Sequence, residues 1–82
     1  MKIQVTQQHI DRGFKGSCTQ DPIALALADA GFTKPRASPT YLSVEGWRGE
    51  RDNYPTPESV LEFMKQYDND RLVWPFEFEL EE

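Results

Sequence analysis

The chain has 82 residues, one cysteine and a net charge of -5, so it is expected to form one domain, residues 1–82, without an internal disulfide. A chain this short buries a modest share of its surface, and its stability is expected to be marginal. No apolar run reaches the length of a signal peptide or the roughly 20 residues of a membrane span. The composition therefore argues against a disulfide-stabilised secreted domain and a membrane protein, and it predicts a cytoplasmic protein.

The N-terminal part is predicted to contain a strand, a helical turn and a loop. Residues 2–6 alternate polar and apolar side chains, which is the period of a strand. Thr6 then suits the N-cap of a helical turn that ends at Gly13. The glycines that follow predict a loop over 12–20.

The clearest predicted helix follows this loop. Asp21 is a good N-cap, Pro22 suits the first helical position, and Gly31 supplies the C-terminal stop. Residues 23–30 between them are apolar almost all round, so this helix is expected to be the most buried element. It is too short to be stable alone, so packing must hold it.

A hairpin is predicted in the middle of the chain. Residues 32–39 contain two prolines and are expected to form a surface connection. Strand-forming side chains favour a strand over 40–44, and a tight turn at 45–46 is expected to lead into a strand that begins at Trp47. The polar stretch 48–54 is expected to be an irregular hairpin arm or a loop.

The last third is predicted to contain a helix and a strand. Thr56 and Pro57 suit the N-cap and first position of a helix, and the apolar residues after them fall on one helical stripe. The stripe contains Val60, Phe63, Met64 and Tyr67. After a turn at 69–70, strict alternation predicts a strand with one wet face. Pro75 places this strand at a sheet edge or makes its pairing begin after the proline. Its apolar set is Phe76, Phe78 and Leu80, and its acidic set is Glu77, Glu79 and Glu81.

These elements together predict an α+β fold. The economical arrangement is a small antiparallel sheet of three to four strands with two main helices on one face, plus a short N-terminal helical turn.

No catalytic or metal-binding motif is recognisable. Cys18 lies in a glycine-bounded loop before a helix N-terminus, a position typical of reactive cysteines, and His9 is the one histidine able to serve as its base. A small thiol-dependent or hydrolytic enzyme that uses these two residues is therefore an alternative interpretation. One cysteine and one histidine fall short of the usual zinc ligand sets, and no phosphate-binding loop is present. We expect a non-enzymatic protein without a cofactor or a metal.

Charge is unevenly distributed along the chain. Residues 1–51 carry a balance of +2, whereas residues 52–82 carry -7. An acidic half of this strength repels nucleic acid, so direct binding of DNA or RNA is not expected and a basic protein surface becomes the natural partner. The alternative is that the acidic surface only keeps the protein in solution.

Candidate partner contacts follow from charge and from aromatic content. Glutamates on one face of the last strand are spaced about 7 Å apart, a spacing that could imitate a row of phosphates. The alternative is a solvated face whose charges protect a strand edge. Trp and Tyr dominate binding hot spots, so exposed aromatic residues are further candidates. The candidate contacts are Glu58, Glu62, Asp68, Asp70, Glu77, Glu79, Glu81, Trp47 and Tyr54, and Trp74 is a further aromatic candidate.

Both ends of the chain resemble small proteins encoded by bacteriophages and prophages. The similar segments are residues 5–13 (VTQQHIDRG), 16–18 (GSC), 21–27 (DPIALAL), 63–68 (FMKQYD) and 75–80 (PFEFEL). The resemblance misses most of 32–55. Members often carry a second cysteine where Asp21 stands here, which argues against a shared metal or disulfide role.

The resemblance implies a context rather than a set of functional residues, because these proteins have no established activity. Small phage accessory proteins commonly bind a host protein and redirect or block it. We therefore expect an inhibitor or modulator of a host protein in the bacterial cytoplasm, acting in anti-defence (an anti-CRISPR protein is one form) or in host takeover. A structural or replication-associated phage component is the other alternative.

Overall fold

The computed structural model describes residues 1–46 and 48–80, and in these ranges it contains three helices and five strands. The combination of helices with antiparallel strands confirms the predicted α+β class. In chain order the elements are β1 (Lys2–Val5), α1 (Gln7–Arg12), α2 (Pro22–Asp29), β2 (Thr33–Ala37), β3 (Tyr41–Glu45), β4 (Arg51–Pro55), α3 (Glu58–Asp68) and β5 (Phe76–Glu79).

The first two helices begin at the predicted caps. The Thr6 hydroxyl accepts a hydrogen bond from the backbone N–H of His9, and the His9 ring accepts one in return from the backbone N–H of Thr6. A carboxyl oxygen of Asp21 accepts a hydrogen bond from the backbone N–H of Ala24 at 2.7 Å. The chain leaves α2 through Gly31, whose φ of 102° lies in the left-handed region that favours glycine.

The third helix begins one residue later than predicted. Pro57 occupies the N-cap position, and no side chain caps the helix. Thr56, the predicted cap, instead donates its hydroxyl hydrogen to the carbonyl oxygen of Ser38 at 2.7 Å. This hydroxyl therefore ties the start of α3 to the loop between β2 and β3.

The strands form two sheets rather than the single sheet of three to four strands that was predicted. β1 pairs with β5 in an antiparallel ribbon, with Ile3 opposite Phe78 and Val5 opposite Phe76. β2, β3 and β4 form a separate antiparallel sheet with β3 in its centre. Sequence alternation specifies which face of a strand is buried but not which strand is its neighbour, and this explains the error.

The prediction of a surface connection over 32–39 is wrong, because β2 lies there. A proline is tolerated at Pro35 because β2 is an edge strand and its register is interrupted between Thr33 and Arg36. Lys34 marks this irregularity with a φ of 47°.

The predicted hairpin joins β3 and β4 through a longer loop than expected. β4 begins at Arg51, within the stretch that was expected to be irregular. The backbone N–H of Gly46 donates to the carbonyl oxygen of Glu50 at 2.6 Å and closes the loop. Trp47, the predicted start of the second strand, lies outside the described residues.

One hydrophobic core lies between the helices and both sheets. α2 is the most buried helix, as predicted, and Leu27 is fully enclosed. The predicted stripe of α3 also faces this core, with Tyr67 at its margin. The buried members from the two helices include Ile23, Ala24, Leu27, Val60, Phe63 and Met64.

Candidate functional site

Two large apolar side chains project from the surface between α3 and β5. Leu72 is 74% exposed and Trp74 is 69% exposed, whereas Val73 between them is 8% exposed. This alternation is that of an extended segment with one side chain facing inward and its neighbours facing outward. The segment belongs to no helix or strand.

A groove adjoins this segment at the end of the β1–β5 ribbon. It is a shallow, open groove with a volume of about 340 Å³, and its apolar lining includes Val5, Pro75 and Phe76. Gln4 and Glu77 are among its polar residues. Apolar and polar side chains are thus combined in the lining of this groove, as they are in protein-binding sites. We call Leu72, Trp74 and this groove the ribbon-end surface.

Sequence reasoning identified only part of this surface. The sequence indicates Trp74 as a candidate contact because it is aromatic, but it does not indicate whether the side chain is exposed. Leu72 is not among the predicted contacts. A usable signal was present, because Leu72, Val73 and Trp74 form a continuous apolar run next to a proline. An extended run of this kind buries one face only, so enclosing the middle residue exposes both of its neighbours.

The acidic strand has the predicted alternation in its described part. Glu77 and Glu79 are exposed on one face of β5. The apolar set of this segment is buried or half-buried, and it comprises Phe76, Phe78 and Leu80. Two of the candidate contacts, Glu81 and Trp47, lie outside the described residues.

Positive groups of β1 and the N-terminus lie beside these glutamates. The Nζ atom of Lys2 is 3.7 Å from Oε1 of Glu77, and the ammonium group of Met1 is 3.3 Å from Oε2 of Glu79. All four groups are between 39% and 64% exposed, so these ion pairs add little stability. They do offset part of the negative charge at short range, which weakens the likeness to a row of phosphates.

The remaining acidic candidates are distributed over other parts of the surface. Glu58 and Glu62 are exposed on α3. Asp70 forms an ion pair with Lys15. Asp68, at the end of α3, lines a cavity beside the start of α2.

Tyr54 and Glu79 are two candidate contacts that the fold brings together. They line a cavity of about 250 Å³ with Pro55, Pro57 and Leu80. The cavity joins the end of β4 and the start of α3 to the end of β5, so it spans elements of both sheets.

His9 is a buried histidine with hydrogen bonds at both ring nitrogens. Its Nδ1 accepts a hydrogen bond from the backbone N–H of Thr6 at 2.9 Å, and its Nε2 lies 2.5 Å from Oδ2 of Asp29. Because Nδ1 is an acceptor, the neutral ring carries its hydrogen on Nε2 and donates it to Asp29. His9 thus connects the cap of α1 to the last turn of α2.

The two residues of the alternative thiol enzyme line different cavities. Cys18 is exposed and borders a cavity of about 190 Å³ with Asp21, Ser38 and Asp68. His9 borders a separate cavity beside α2. Since both nitrogens of His9 already have partners, the ring offers no free base to Cys18.

Asp21 has the most perturbed carboxyl group among the described residues. Its pKa is raised from 3.8 to about 7, with burial as the largest cause; the hydrogen bond from Ala24 opposes the shift, and the nearby charge of Asp68 adds to it. Burial also raises the pKa of the Tyr67 hydroxyl, and the charges of the same two aspartates add to this effect. The structure therefore places a carboxyl that changes charge near neutral pH at the start of the most buried helix.

Two further observations concern the described ranges as a whole. No group of three or more His, Cys, Asp or Glu side chains is arranged there to hold a metal ion. No helix in 1–46 and 48–80 combines the length and apolar character needed to cross a membrane. The expectations of no cofactor and no direct nucleic-acid binding stay predictions.

Comparisons of the chain with protein-family models, with curated proteins and with solved structures returned no match.

Proposed function

We propose that this chain is a non-enzymatic phage accessory protein that binds a bacterial host protein and inhibits or modulates it, in anti-defence or in host takeover. The observation that supports binding is the ribbon-end surface, where Leu72 and Trp74 stay exposed beside an apolar groove. Exposed apolar patches with polar margins mark interaction sites. The resemblance to phage proteins supplies the class of partner, a host protein in the bacterial cytoplasm.

The charge distribution supports a partner with a basic surface. Residues 52–82, which include Leu72 and Trp74 of the ribbon-end surface, carry a charge balance of -7. Lys2 and the Met1 ammonium offset the nearby glutamates only locally. The acidic charge therefore acts at long range, where it steers a basic partner, more than as an atom-by-atom imitation of nucleic acid.

Truncation of the exposed tryptophan is expected to remove binding without harming the fold. Trp74→Ala and Leu72→Ala should each weaken capture of the host protein about 30-fold or more, which corresponds to about 2 kcal/mol of a hot-spot contact. Both side chains are exposed, so the free energy of unfolding should change by less than about 0.5 kcal/mol. The measurement is affinity capture from bacterial lysate with mass spectrometry, followed by titration of the recovered protein.

Tyr41→Ala is the matched control, because Tyr41 is an exposed aromatic residue on the other sheet. It should bind like the wild type. A wild-type chain that recovers no stoichiometric partner would contradict the proposal, and so would a Trp74 variant that captures the partner as well as the Tyr41 variant.

Charge reversal on β5 is expected to slow association with a basic partner. The variant with Glu77→Lys and Glu79→Lys should lose about 10-fold or more in association rate at low salt, because steering depends on long-range attraction. The salt dependence should weaken with it, since salt shortens the Debye length from about 30 Å at 0.01 M to about 3 Å at 1 M. Stopped-flow mixing across this range measures both effects.

The double variant Glu58→Lys and Glu62→Lys changes the net charge equally from exposed positions on α3. A smaller effect there would place the electrostatic contact at the ribbon. If reversal on β5 leaves the association rate unchanged at every salt concentration, the electrostatic part of the proposal fails.

A further inference from the structure

The cavity between Tyr54 and Glu79 has mostly apolar walls. Pro55 and Pro57 carry no backbone N–H, Leu80 is an aliphatic residue of the core, and the Tyr54 ring packs against that core. Its volume of about 250 Å³ is below the roughly 300–1,000 Å³ typical of sites for drug-sized ligands. Size and lining therefore suit one side chain of a partner rather than a cofactor.

Two residues that line this cavity have polar side-chain atoms with no partner among the described residues. Oε2 of Glu79 contacts the Met1 ammonium, whereas Oε1 of the same carboxylate has no partner among the described residues. The Tyr54 hydroxyl likewise forms no hydrogen bond with any described residue. The Thr56 hydroxyl is already committed to Ser38. Within residues 1–46 and 48–80, the cavity-lining residues therefore leave one carboxylate oxygen of Glu79 and the phenol of Tyr54 without a partner.

From this combination we infer that the cavity is a subsite for one arginine side chain of the partner protein. The aliphatic stem of arginine would lie against Pro55, Pro57 and Leu80, as long basic side chains do on apolar surface. The guanidinium group would stack on the Tyr54 ring and donate a hydrogen bond to Oε1 of Glu79. The origin of the arginine rests on the proposed function, whereas the subsite is a property of this chain.

Charge and shape together select arginine. A cation is the complement of Glu79 in a part of the chain with a balance of -7. A planar guanidinium can stack on an aromatic ring while it donates hydrogen bonds in its own plane, which the compact ammonium of lysine does less well. The Met1 ammonium contacts Oε2 of Glu79 and donates a hydrogen bond to the carbonyl oxygen of Leu80 at 2.9 Å, so the arginine would address the other carboxylate oxygen, Oε1.

The test uses the isolated chain and blocked amino acids as probes. Titration of the ¹⁵N-labelled protein with N-acetyl-arginine methylamide should give saturable shifts of the backbone amides of Tyr54, Thr56, Glu79 and Leu80. The citrulline analogue has the same shape without the charge and should bind about 10-fold more weakly, a difference of about 1.4 kcal/mol. The lysine analogue should fall between the two.

Glu79→Gln removes the charge from the subsite and should abolish the preference for arginine over citrulline. Glu77→Gln is the matched control, because it makes the same change on the same strand face but outside this cavity. Its titration should match that of the wild type. Equal binding of arginine and citrulline, or an arginine preference that survives in Glu79→Gln, would overturn the subsite.

The subsite and the proposed function fail separately. If capture of a host protein depends on Trp74 but the arginine probe does not bind, the subsite is overturned and the function stands. If the arginine probe binds as expected but no partner is captured, the proposed function is overturned and the subsite stands.

Discussion

Leu27→Ala is expected to lower the free energy of unfolding by about 2–5 kcal/mol. Leu27 is fully enclosed in α2 and belongs to the core that α2 shares with α3 and both sheets. Truncation removes buried apolar surface and leaves a cavity that the surrounding elements fill only in part. Total stability is of the order of 0.05–0.15 kcal/mol per residue, so this loss is a large fraction of the whole for a domain of this length.

Urea denaturation followed by circular dichroism measures the effect. Leu25→Ala is the matched control, because it makes the same substitution in the same helix at a half-buried position. It should cost clearly less than Leu27→Ala. Phe63→Ala tests the packing of α3 independently and should cost about 3–5 kcal/mol. Wild-type stability of the Leu27 and Phe63 variants would contradict the placement of both helices.

Local structure was predictable because its determinants lie within a few residues. Thr6 and Asp21 form their capping hydrogen bonds to the residue three positions ahead, and Gly31 adopts the left-handed conformation that ends α2. Such signals depend on the chemistry of side chains next to the backbone they satisfy. The start of α3 shows the limit of such local prediction. The Thr56 hydroxyl donates its hydrogen bond to the carbonyl oxygen of Ser38, which is distant in sequence, and therefore does not cap the helix.

Strand pairing was not predictable from the same information. β2 reads as a loop because Pro35 cannot donate a hydrogen bond, yet an edge position with an interrupted register removes that requirement. The pairing of β1 with β5 joins residues from opposite ends of the chain. Period-two alternation is satisfied by any neighbour that covers the same face, so the sheet partition depends on tertiary packing.

In the candidate site, too, local features were predictable from the sequence and contacts between distant elements were not. The exposure of Glu77 and Glu79 follows from alternation alone, and the structure confirms it. The positive groups opposite them follow from the ribbon, which the sequence did not predict. Tyr54 and Glu79 line the same cavity because of how the two sheets are placed relative to each other, so no local sequence pattern predicts it.

Asp21→Asn is expected to remove a pH dependence of stability and to stabilise the fold at neutral pH. The carboxyl has a pKa of 3.8 in the unfolded chain and about 7 in the folded chain, because burial opposes ionisation. Between these values the unfolded chain has released the proton while the folded chain retains it. The folded state then binds more protons, so stability falls as pH rises through this window. Above this pH window the ionised, buried carboxylate lowers the free energy of unfolding by its full amount, on the order of 4 kcal/mol.

Asparagine keeps the N-cap, because its side-chain oxygen accepts the hydrogen bond from Ala24 as an aspartate oxygen does. Below about pH 4 the variant should match the wild type, and above about pH 8 it should be more stable by an amount approaching the full cost. Urea denaturation of both proteins across this range isolates Asp21, since the two chains share every other titrating group. Asp68 and Tyr67 are the titrating neighbours.

Asp21→Ala loses the cap as well and should be about 1 kcal/mol less stable than the asparagine variant at every pH. A difference between wild type and Asp21→Asn that stays constant with pH would show that Asp21 ionises normally in the folded chain.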